Sequence, residues 1–322
     1  MSEGESRVLF EVRVKEKSSV LLSLALIVCL VAGCEAGSGN PKDMERPQKG
    51  EAVGGAGEQV RELTVAEEVE VDRAEGKLVE ECMERQGHPY WPEPVASIAE
   101  RKAGAYVVDD VEWARRYGYG RPFDIAAEEA RLSHPNVTYH NALPEQERIR
   151  YSRALDGDFD DAISVGLPSG GTIRTPREGC HVEAQERLYG DYPTWFRVKK
   201  TVTGLTPLYV PQILRDERLV TAVKAWSRCM NESGNPFGSP DEIRQKRESL
   251  VKGMNAAQAQ SAEVKLAVAE AECARETSLG ETARSLEGEY REKTLSDYPD
   301  EFATYQQLRM TALSRARNLE NR

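Results

Sequence analysis

The residues in this sequence that are best suited to chemistry are its cysteines. Six are present, and four of them stand far from the N-terminus, at Cys82, Cys180, Cys229 and Cys273. Cysteines can bind a metal or oxidise in pairs to disulfides. No two of the four have the Cys-x-x-Cys spacing of a zinc knuckle, so disulfides are favoured and metal ligation is the alternative. Four cysteines allow three pairings.

A repeated order of motifs narrows the choice of pairing. The pattern Cys-Met-x-x-x-Gly-x-Pro-aromatic is followed by a lone cysteine and then by Asp-Tyr-Pro-x-x-Phe. The two patterns occur in this order twice, at 82–90 and 191–196 and again at 229–237 and 297–302. Duplication is the economical explanation, and chance recurrence is the alternative. The order predicts one disulfide between Cys82 and Cys180 and another between Cys229 and Cys273.

An acidic segment offers a weak metal site. Asp156, Asp158 and Asp160 occupy the first, third and fifth places of a calcium-binding EF-hand loop. Asp161 replaces the usual glycine of that loop, and Leu167 stands where a bidentate glutamate would bind. A solvated acidic turn is therefore the alternative, and no other metal site is expected.

Residues for catalysis follow no familiar pattern. The four histidines, at 88, 134, 140 and 181, lack the helical pair spacing of a zinc protease. The sequence has no Gly-x-Ser-x-Gly elbow, no Walker phosphate loop and no Gly-x-Gly-x-x-Gly fingerprint. We expect no enzyme activity and no cofactor, and a Ser-His-Asp triad assembled only in space is the alternative.

Aromatic residues suggest binding instead. Trp113, Tyr117, Tyr119 and Trp195 lie near loops in the first helical unit, residues 61–205, and are the candidates for a contact surface. Aromatic side chains on loops of a rigid scaffold bind sugars and proteins well. Packing inside the protein is the alternative for each of the four.

Helices are expected to position these residues, because apolar residues recur at steps of three and four. The predicted fold is all-α, with two disulfide-stapled helical units at 61–205 and 206–322 and a loop-rich insertion in the first. Helices are predicted at 68–86, 108–117, 125–132, 144–155, 178–189, 215–231, 256–278 and 281–319, the last broken near Pro299. The tetrapeptide Ser239-Pro-Asp-Glu242 predicts one further helix start, since it combines a cap, a first-turn proline and a glutamate.

The N-terminal segment indicates export. An apolar run at 20–31 follows three cationic residues and is shorter than the roughly 20 residues of a spanning helix. Directly after it, Val31-Ala-Gly-Cys34 resembles the lipobox of bacterial lipoproteins. The resemblance implies a signal peptide at 1–33 and two acyl chains on Cys34, which together give stable anchoring. An ordinary signal peptide is the alternative.

Charge and composition limit the partners. A glycine-rich tether is expected at 34–60, and the rest of the chain has enough apolar residues for one large or two modest cores. The net charge of −11 argues against nucleic acid and anionic lipid as partners, so the membrane would be reached only through the lipid. Disulfides also fit this location, because thiols outside the membrane tend to be oxidised.

Several motifs resemble a group of uncharacterised actinobacterial secreted lipoproteins of the Streptomyces type. They are Trp-Ser-x-Cys-Met at 226–230, the run 179–190 around Cys180, Arg-Tyr-Gly-Tyr-Gly at 116–120, and the run 266–273 that ends in Cys273. The resemblance implies no activity and no catalytic residue, and it favours an accessory role beside an envelope protein or peptidoglycan. The expected function is a non-enzymatic lipoprotein on the extracytoplasmic face of the cell membrane. A small-solute or calcium binding module is the alternative, and a cell-wall hydrolase is less favoured.

Overall fold

The computed structural model describes residues 60–321, which are mostly helical. The helices in this range are α1 Val65–Arg85, α2 Ile98–Arg101, α3 Val111–Tyr117, α4 Arg121–Ser133, α5 Pro135–Ala142, α6 Glu145–Asp156, α7 Cys180–Tyr189, α8 Tyr192–Thr203, α9 Thr206–Ile213, α10 Glu217–Glu232, α11 Pro240–Leu250, α12 Ala256–Glu276, α13 Leu279–Leu295 and α14 Pro299–Glu320. A 3-10 turn, Lys102–Gly104, follows α2, and two strands, β1 Ala162–Gly166 and β2 Thr172–Pro176, lie between α6 and α7. The all-α fold class is confirmed.

Helix α1 shows how local sequence fixes an element. Thr64 caps its N-terminus by accepting the Glu67 backbone N–H, and the Glu67 carboxylate accepts the Thr64 backbone N–H in return. This capping box satisfies two donors that the first turn would leave free. Apolar residues at helical spacing, among them Ala74, Leu78 and Cys82, then bury one face of the helix.

The two copies of the Cys-Met motif end their helices in the same way. Gly87 follows α1 with φ 82° and Gly234 follows α10 with φ 81°, a left-handed conformation that glycine adopts without strain. After each glycine the next backbone N–H reaches back to the carbonyl of the motif methionine, Met83 or Met230, at 2.9 and 2.8 Å. Both methionines are fully buried. The sequence repeat is therefore also a repeat of backbone structure at these helix ends.

The antiparallel hairpin β1–β2 was not expected in the loop-rich insertion. It pairs Ile163 with Thr175 and Val165 with Ile173, and it turns through a loop that contains the left-handed Gly170 and Gly171. Ile163 and Val165 are buried while the residues between and after them are exposed. This two-residue alternation is the pattern of a strand with one covered face.

The described residues form one compact unit with two hydrophobic cores. The first core is built by α1, α6, the hairpin, α7, α8 and α14, and its largest fully buried side chains are those of Leu78, Met83, Leu188 and Leu313. The second core is built by α3, α9, α10, α11, α12 and α13, around Trp226, Met230, Ile243, Leu279 and Leu286. The cores exchange elements: α3 precedes residue 205 and joins the second core, while α14 follows it and joins the first. The predicted domain boundary at residue 205 stays a prediction.

Helix α14 is strapped to α1 by ion pairs as well as by apolar contacts. Arg309 binds Glu68, and Arg317 binds Glu70 with an Nε to Oε2 distance of 2.9 Å. Arg317 also reaches Glu67 at 3.3 Å. The last helix of the chain is thereby fixed across the first helix of the described region.

Two disulfides staple the cores with the predicted pairing. Cys82 is bonded to Cys180 across 98 residues in the first core, and Cys229 is bonded to Cys273 across 44 residues in the second. The first disulfide joins the C-terminal part of α1 to the first residue of α7, whereas the second joins the C-terminal parts of α10 and α12. The cysteine prediction is confirmed, although the two bonds connect different kinds of helix end.

Among residues 60–321, no helix is long and apolar enough to cross a bilayer. The signal peptide at 1–33, the lipidated Cys34 and the tether up to residue 59 lie outside the described residues, and these stay predictions.

Candidate ligand-binding cleft

The short helix α3 packs on α12 and carries most of the candidate site. Gly118 ends α3 with φ 61°, and a Cβ on it would lie 3.2 Å from the backbone N of Val264 on α12. A side chain at this position would be strained and crowded. The glycine therefore lets the chain turn directly against α12 and continue into α4.

A buried carboxylate fixes both ends of α3. Glu270 on α12 is fully buried, and its Oε1 accepts the backbone N–H of Val108 at 3.0 Å. Its Oε2 accepts the Tyr119 hydroxyl at 2.7 Å. Because Val108 precedes α3 and Tyr119 follows it, one side chain sets the position of the whole helix. Arg244 on α11 also contacts Glu270 Oε1, with an Nη1 to Oε1 distance of 3.4 Å.

Burial changes the acidity of both Glu270 and Tyr119. It raises the pKa of the Glu270 carboxyl, and Arg244 is the strongest of the neighbours that oppose this rise. Burial, followed by the neighbouring Glu270, also raises the pKa of the Tyr119 phenol. The phenol thus stays protonated and remains a hydrogen-bond donor.

A second buried carboxylate on α12 anchors the start of α4. Glu263 accepts Arg121 Nη2 at 2.6 Å, and it accepts Arg247 Nε of α11 at 2.9 Å. Arg247 also binds Asp124 on α4 at 3.0 Å. Glu263 and Glu270 are two helical turns apart, so α12 presents two charged contacts on one face to the α3–α4 segment.

An open cleft of about 670 Å³ lies between α2 and α3, and we call it the α3 cleft. Its volume falls in the range of roughly 300 to 1,000 Å³ that is usual for small-molecule sites. The lining residues are Ile98, Ala99, Lys102, Asp110, Glu112, Trp113, Arg115, Arg116 and Tyr117. The α2 side is tied to α1 by an ion pair between Arg101 and Asp72 at 2.5 Å. Helix α2 thus contacts α1 of the first core, while its Ala99 packs on the second core together with α3.

The floor of the α3 cleft is aromatic. The indole of Trp113 donates to the Ala99 carbonyl at 3.0 Å, which joins α3 to α2. Tyr117 lies beside it with ring centroids 5.5 Å apart, and Phe123 packs on Tyr117 at 4.7 Å. Ile98 on the opposite wall is half exposed. The floor can therefore contact an apolar or ring-shaped group.

The rim of the cleft is charged. Lys102 pairs with Asp110 at 2.9 Å, and Arg115 pairs with Glu112 on the same helix. Arg116 lies over the Tyr117 ring, 5.9 Å from its centroid, and within residues 60–321 it contacts no carboxylate. The lining holds three cations and two carboxylates, which leaves one positive charge in excess.

A second depression, which adjoins the α3 cleft, has the opposite balance of charge. It encloses about 510 Å³ and is lined by four carboxylates and three arginines, namely Asp109, Asp110, Glu112, Glu272, Arg115, Arg275 and Arg284. Asp109 pairs with Arg284, and Asp110, Glu112 and Arg115 are shared with the α3 cleft. We call it the acidic groove.

The two carboxyls whose pKa is shifted near the depressions, Asp110 and Glu270, are poorly suited to general acid catalysis. The backbone N–H of Trp113, followed by Lys102, lowers the pKa of Asp110, so this carboxyl stays ionised and cannot donate a proton at neutral pH. The carboxyl of Glu270 has a raised pKa, but it is fully buried and lines neither depression. Neither Asp110 nor Glu270 is therefore placed to give a proton to a molecule bound in these depressions.

A serine and a histidine approach each other elsewhere. Ser152 Oγ lies 3.3 Å from His140 Nε2, and in the described part of the chain no carboxylate contacts the His140 ring. His181 is the histidine with an acidic neighbour, Asp156 at 3.7 Å. The three groups of a Ser-His-Asp triad are therefore not brought together here.

The structure corrects the interpretation of the aromatic candidates as one contact surface. Trp113 and Tyr119 are each 7% exposed and Trp195 is 3% exposed, so these three side chains mainly pack the cores. Trp195 is stacked between Tyr189 and Tyr305, with centroids 3.6 and 5.5 Å away. Tyr117 is half-buried and lines the α3 cleft beside the accessible edge of Trp113.

The acidic segment does not assemble a metal site. Asp158 accepts the backbone N–H of Asp160 and pairs with Arg153 at 2.7 Å, while Asp156 lies at the end of α6 near His181. Across residues 60–321, no group of three or more His, Cys, Asp or Glu side chains is placed to hold a metal ion. The solvated acidic turn describes this segment better than a calcium loop.

Sequence reasoning missed Glu263, Glu270 and Arg116. A signal for the two glutamates was present, because Ala259, Ala267, Ala271 and Ala274 define the buried face of α12, and both glutamates fall on it. No comparable signal singles out Arg116 among the exposed arginines.

Comparison with protein-family models, with curated proteins and with solved structures finds no match for this chain.

Proposed function

We propose that this chain is a lipid-anchored extracytoplasmic binding protein without enzyme activity. The observation that carries the proposal is the pairing of four cysteines into two disulfides, one in each core. Such bonds persist in oxidising compartments and are rare in the cytosol. They fit a protein whose Cys34 follows a short apolar run and lies in a lipobox-like sequence.

The cleft supports binding as the activity of the exported body. It combines an aromatic floor, a half-exposed isoleucine and a charged rim, and its carboxylates are paired with cations. The partner would be an envelope protein, peptidoglycan or a small solute. The solute is the second candidate, because the volume of the cleft matches a small molecule better than a protein surface.

Metabolic labelling with an alkyne analogue of palmitate tests the anchor. The wild type and a Cys29→Ser variant should carry label and stay with membranes after an alkaline wash. A Cys34→Ser variant should lose the label and leave the membrane, because Cys34 is the proposed acylation site. Cys29 is the matched control, since it lies in the signal region but not after the small residues.

Two results would contradict the proposal. One is label that survives in the Cys34→Ser variant. The other is wild-type protein that remains in the cytosol with four reactive thiols after acid trapping. If neither result is found, cross-linking in native cells followed by mass spectrometry would identify the partner of the anchored protein.

A further inference from the structure

We propose that the α3 cleft binds a small organic carboxylate whose body has a ring or an apolar face. The carboxylate would pair with Arg116, and the body would lie on Tyr117 and against Ile98. This inference rests on the proposed function, because an exported protein meets such molecules outside the membrane.

The first step is the charge of the cleft. The whole chain carries a net charge of −11, yet the cleft lining has one cation more than its carboxylates. The adjoining acidic groove has one carboxylate more than its cations. The lining of the α3 cleft therefore favours an anionic ligand more than the lining of the groove does.

The second step is the state of Arg116. Lys102 and Arg115 are paired with carboxylates of the rim, whereas Arg116 is exposed and its one contact among the described side chains is the Tyr117 ring. A guanidinium has five donors in a planar fork that matches a carboxylate, and stacking on an aromatic ring limits its conformations. Arg116 can thus bind a carboxylate without first breaking an ion pair.

The third step is the floor. Tyr117 forms a cluster of three rings with Trp113 and Phe123, so its ring has little freedom to move. Ile98 is 51% exposed on the facing wall. A ring placed between Tyr117 and Ile98 would have apolar surface removed from water on both of its faces. Aromatic side chains in binding sites make this kind of contact.

Two sources of such a ligand are acidic sugars and the free C-termini of peptides. N-acetylmuramic acid and its neutral counterpart N-acetylglucosamine test the sugar. N-acetylphenylalanine and its amide test the peptide end. Saturation-transfer NMR on the mature protein with both disulfides formed gives the dissociation constant of each probe, even when binding is weak.

At least one acid should bind about tenfold more tightly than its neutral counterpart, because a hydrogen-bonded charge pair contributes roughly this much. Arg116→Ala should abolish the preference for the acid, and Arg116→Lys should keep part of it. Tyr117→Ala should weaken the acid and the neutral probe alike. Arg228→Ala is the matched control, since Arg228 is an exposed arginine on α10 that does not line the cleft, and it should change nothing.

The proposal is overturned if no acid binds, if the neutral probes bind as well as the acids, or if Arg116→Ala retains the preference. Circular dichroism checks that the variants are folded, and among residues 60–321 Arg116 makes no ion pair whose loss would unfold the protein. A failure here would leave the palmitate labelling unchanged, so it can be told apart from a failure of the proposed anchoring.

Discussion

The two cores of this protein are stapled in a similar way and filled in different ways. Each has a disulfide and an α-helix ended by the same glycine turn. The first core contains the stack of Tyr189, Trp195 and the half-buried Tyr305. The second core contains the Glu270 carboxylate, which contacts the Val108 N–H, the Tyr119 hydroxyl and Arg244.

The candidate site lies beside the fully buried carboxylate of the second core. Apolar packing is non-directional and tolerates small shifts, whereas a buried carboxylate needs its donors at defined places. Glu270 therefore specifies where α3 sits, and α3 carries the cleft. A buried ion pair adds little net stability on its own, so its contribution here is one of position.

Removing either disulfide should have the largest effect on the free energy of unfolding, and the losses from the two cores should be similar. The chain-entropy estimate is about 4.7 kcal/mol for the 98-residue loop of Cys82–Cys180 and about 4.0 kcal/mol for the 44-residue loop of Cys229–Cys273. Urea denaturation of the paired Cys→Ala variants measures both. A much larger loss from the second pair would show that the shorter loop carries more than chain entropy.

Removing the Glu270 carboxylate should lower the free energy of unfolding more than removing a polar side chain of the first core. Glu270→Ala leaves Arg244, the Tyr119 hydroxyl and the Val108 N–H without their partner, and it should lower the free energy of unfolding by about 3 to 5 kcal/mol. Gln185→Ala in the first core should cost only about 1 to 2 kcal/mol. Gln185 there links Glu75 to the Trp195 indole at the edge of the stack.

Equal losses from Glu270→Ala and Gln185→Ala would remove the distinction between the cores. The same two variants should also show whether Glu270 fixes the position of α3 in addition to stabilising the fold. Glu270→Ala should weaken binding in the α3 cleft at temperatures where the protein is still folded, and Gln185→Ala should not.

The pH dependence of stability should carry the signature of Glu270. Burial raises its pKa above the ordinary value, so the folded state binds this proton more tightly than the unfolded chain. The stability from this group is fully present below the unfolded pKa, near 4.5, and is lost as pH rises through the raised value. The loss is about 1.4 kcal/mol for each pH unit that separates the pKa of the unfolded chain from that of the folded protein.

A Glu270→Gln variant cannot ionise, so it should gain stability relative to wild type as the pH rises from about 4 to about 8. Urea midpoints across that range measure the difference. A difference that stays constant with pH would mean that Glu270 does not titrate differently in the two states.

The smallest predicted effect concerns the shared helix ends. Gly87→Ala and Gly234→Ala each place a Cβ in a left-handed conformation, and neither Cβ would meet an atom within 4 Å. Each should therefore cost about 1 kcal/mol, and the two costs should match. Unequal values from thermal unfolding would show that the repeat is similar in backbone shape but not in energy.

Local patterns predicted much of the fold. The cysteine pairing followed from the repeat, the cap at Ser239 is present at α11, and the break at Pro299 separates α13 from α14. Each of these depends on residues close in sequence or on covalent chemistry. The hairpin was missed because its buried alternation covers only Ile163 and Val165, which is too short to stand out in a loop-rich stretch.

The cleft could not be predicted, because its parts are far apart in the sequence. Glu270 reaches Val108 across 162 residues, and no local pattern reports that contact. The burial of Trp113, Tyr119 and Trp195 has the same origin, since an aromatic residue near a loop looks the same in sequence whether it faces water or a core. Periodicity describes elements, and long-range contacts decide which of their faces remain open.

The strapping of α14 across α1 sets an order of assembly. When the chain appears with its N-terminus first, Cys82 and Cys180 are available long before residues of α14. Ala312, Leu313 and Ala316 of α14 complete the first core. The bond between the two cysteines can form while that core still lacks one wall. The disulfide then keeps α1 and α7 in contact until α14 packs on them and completes the first core.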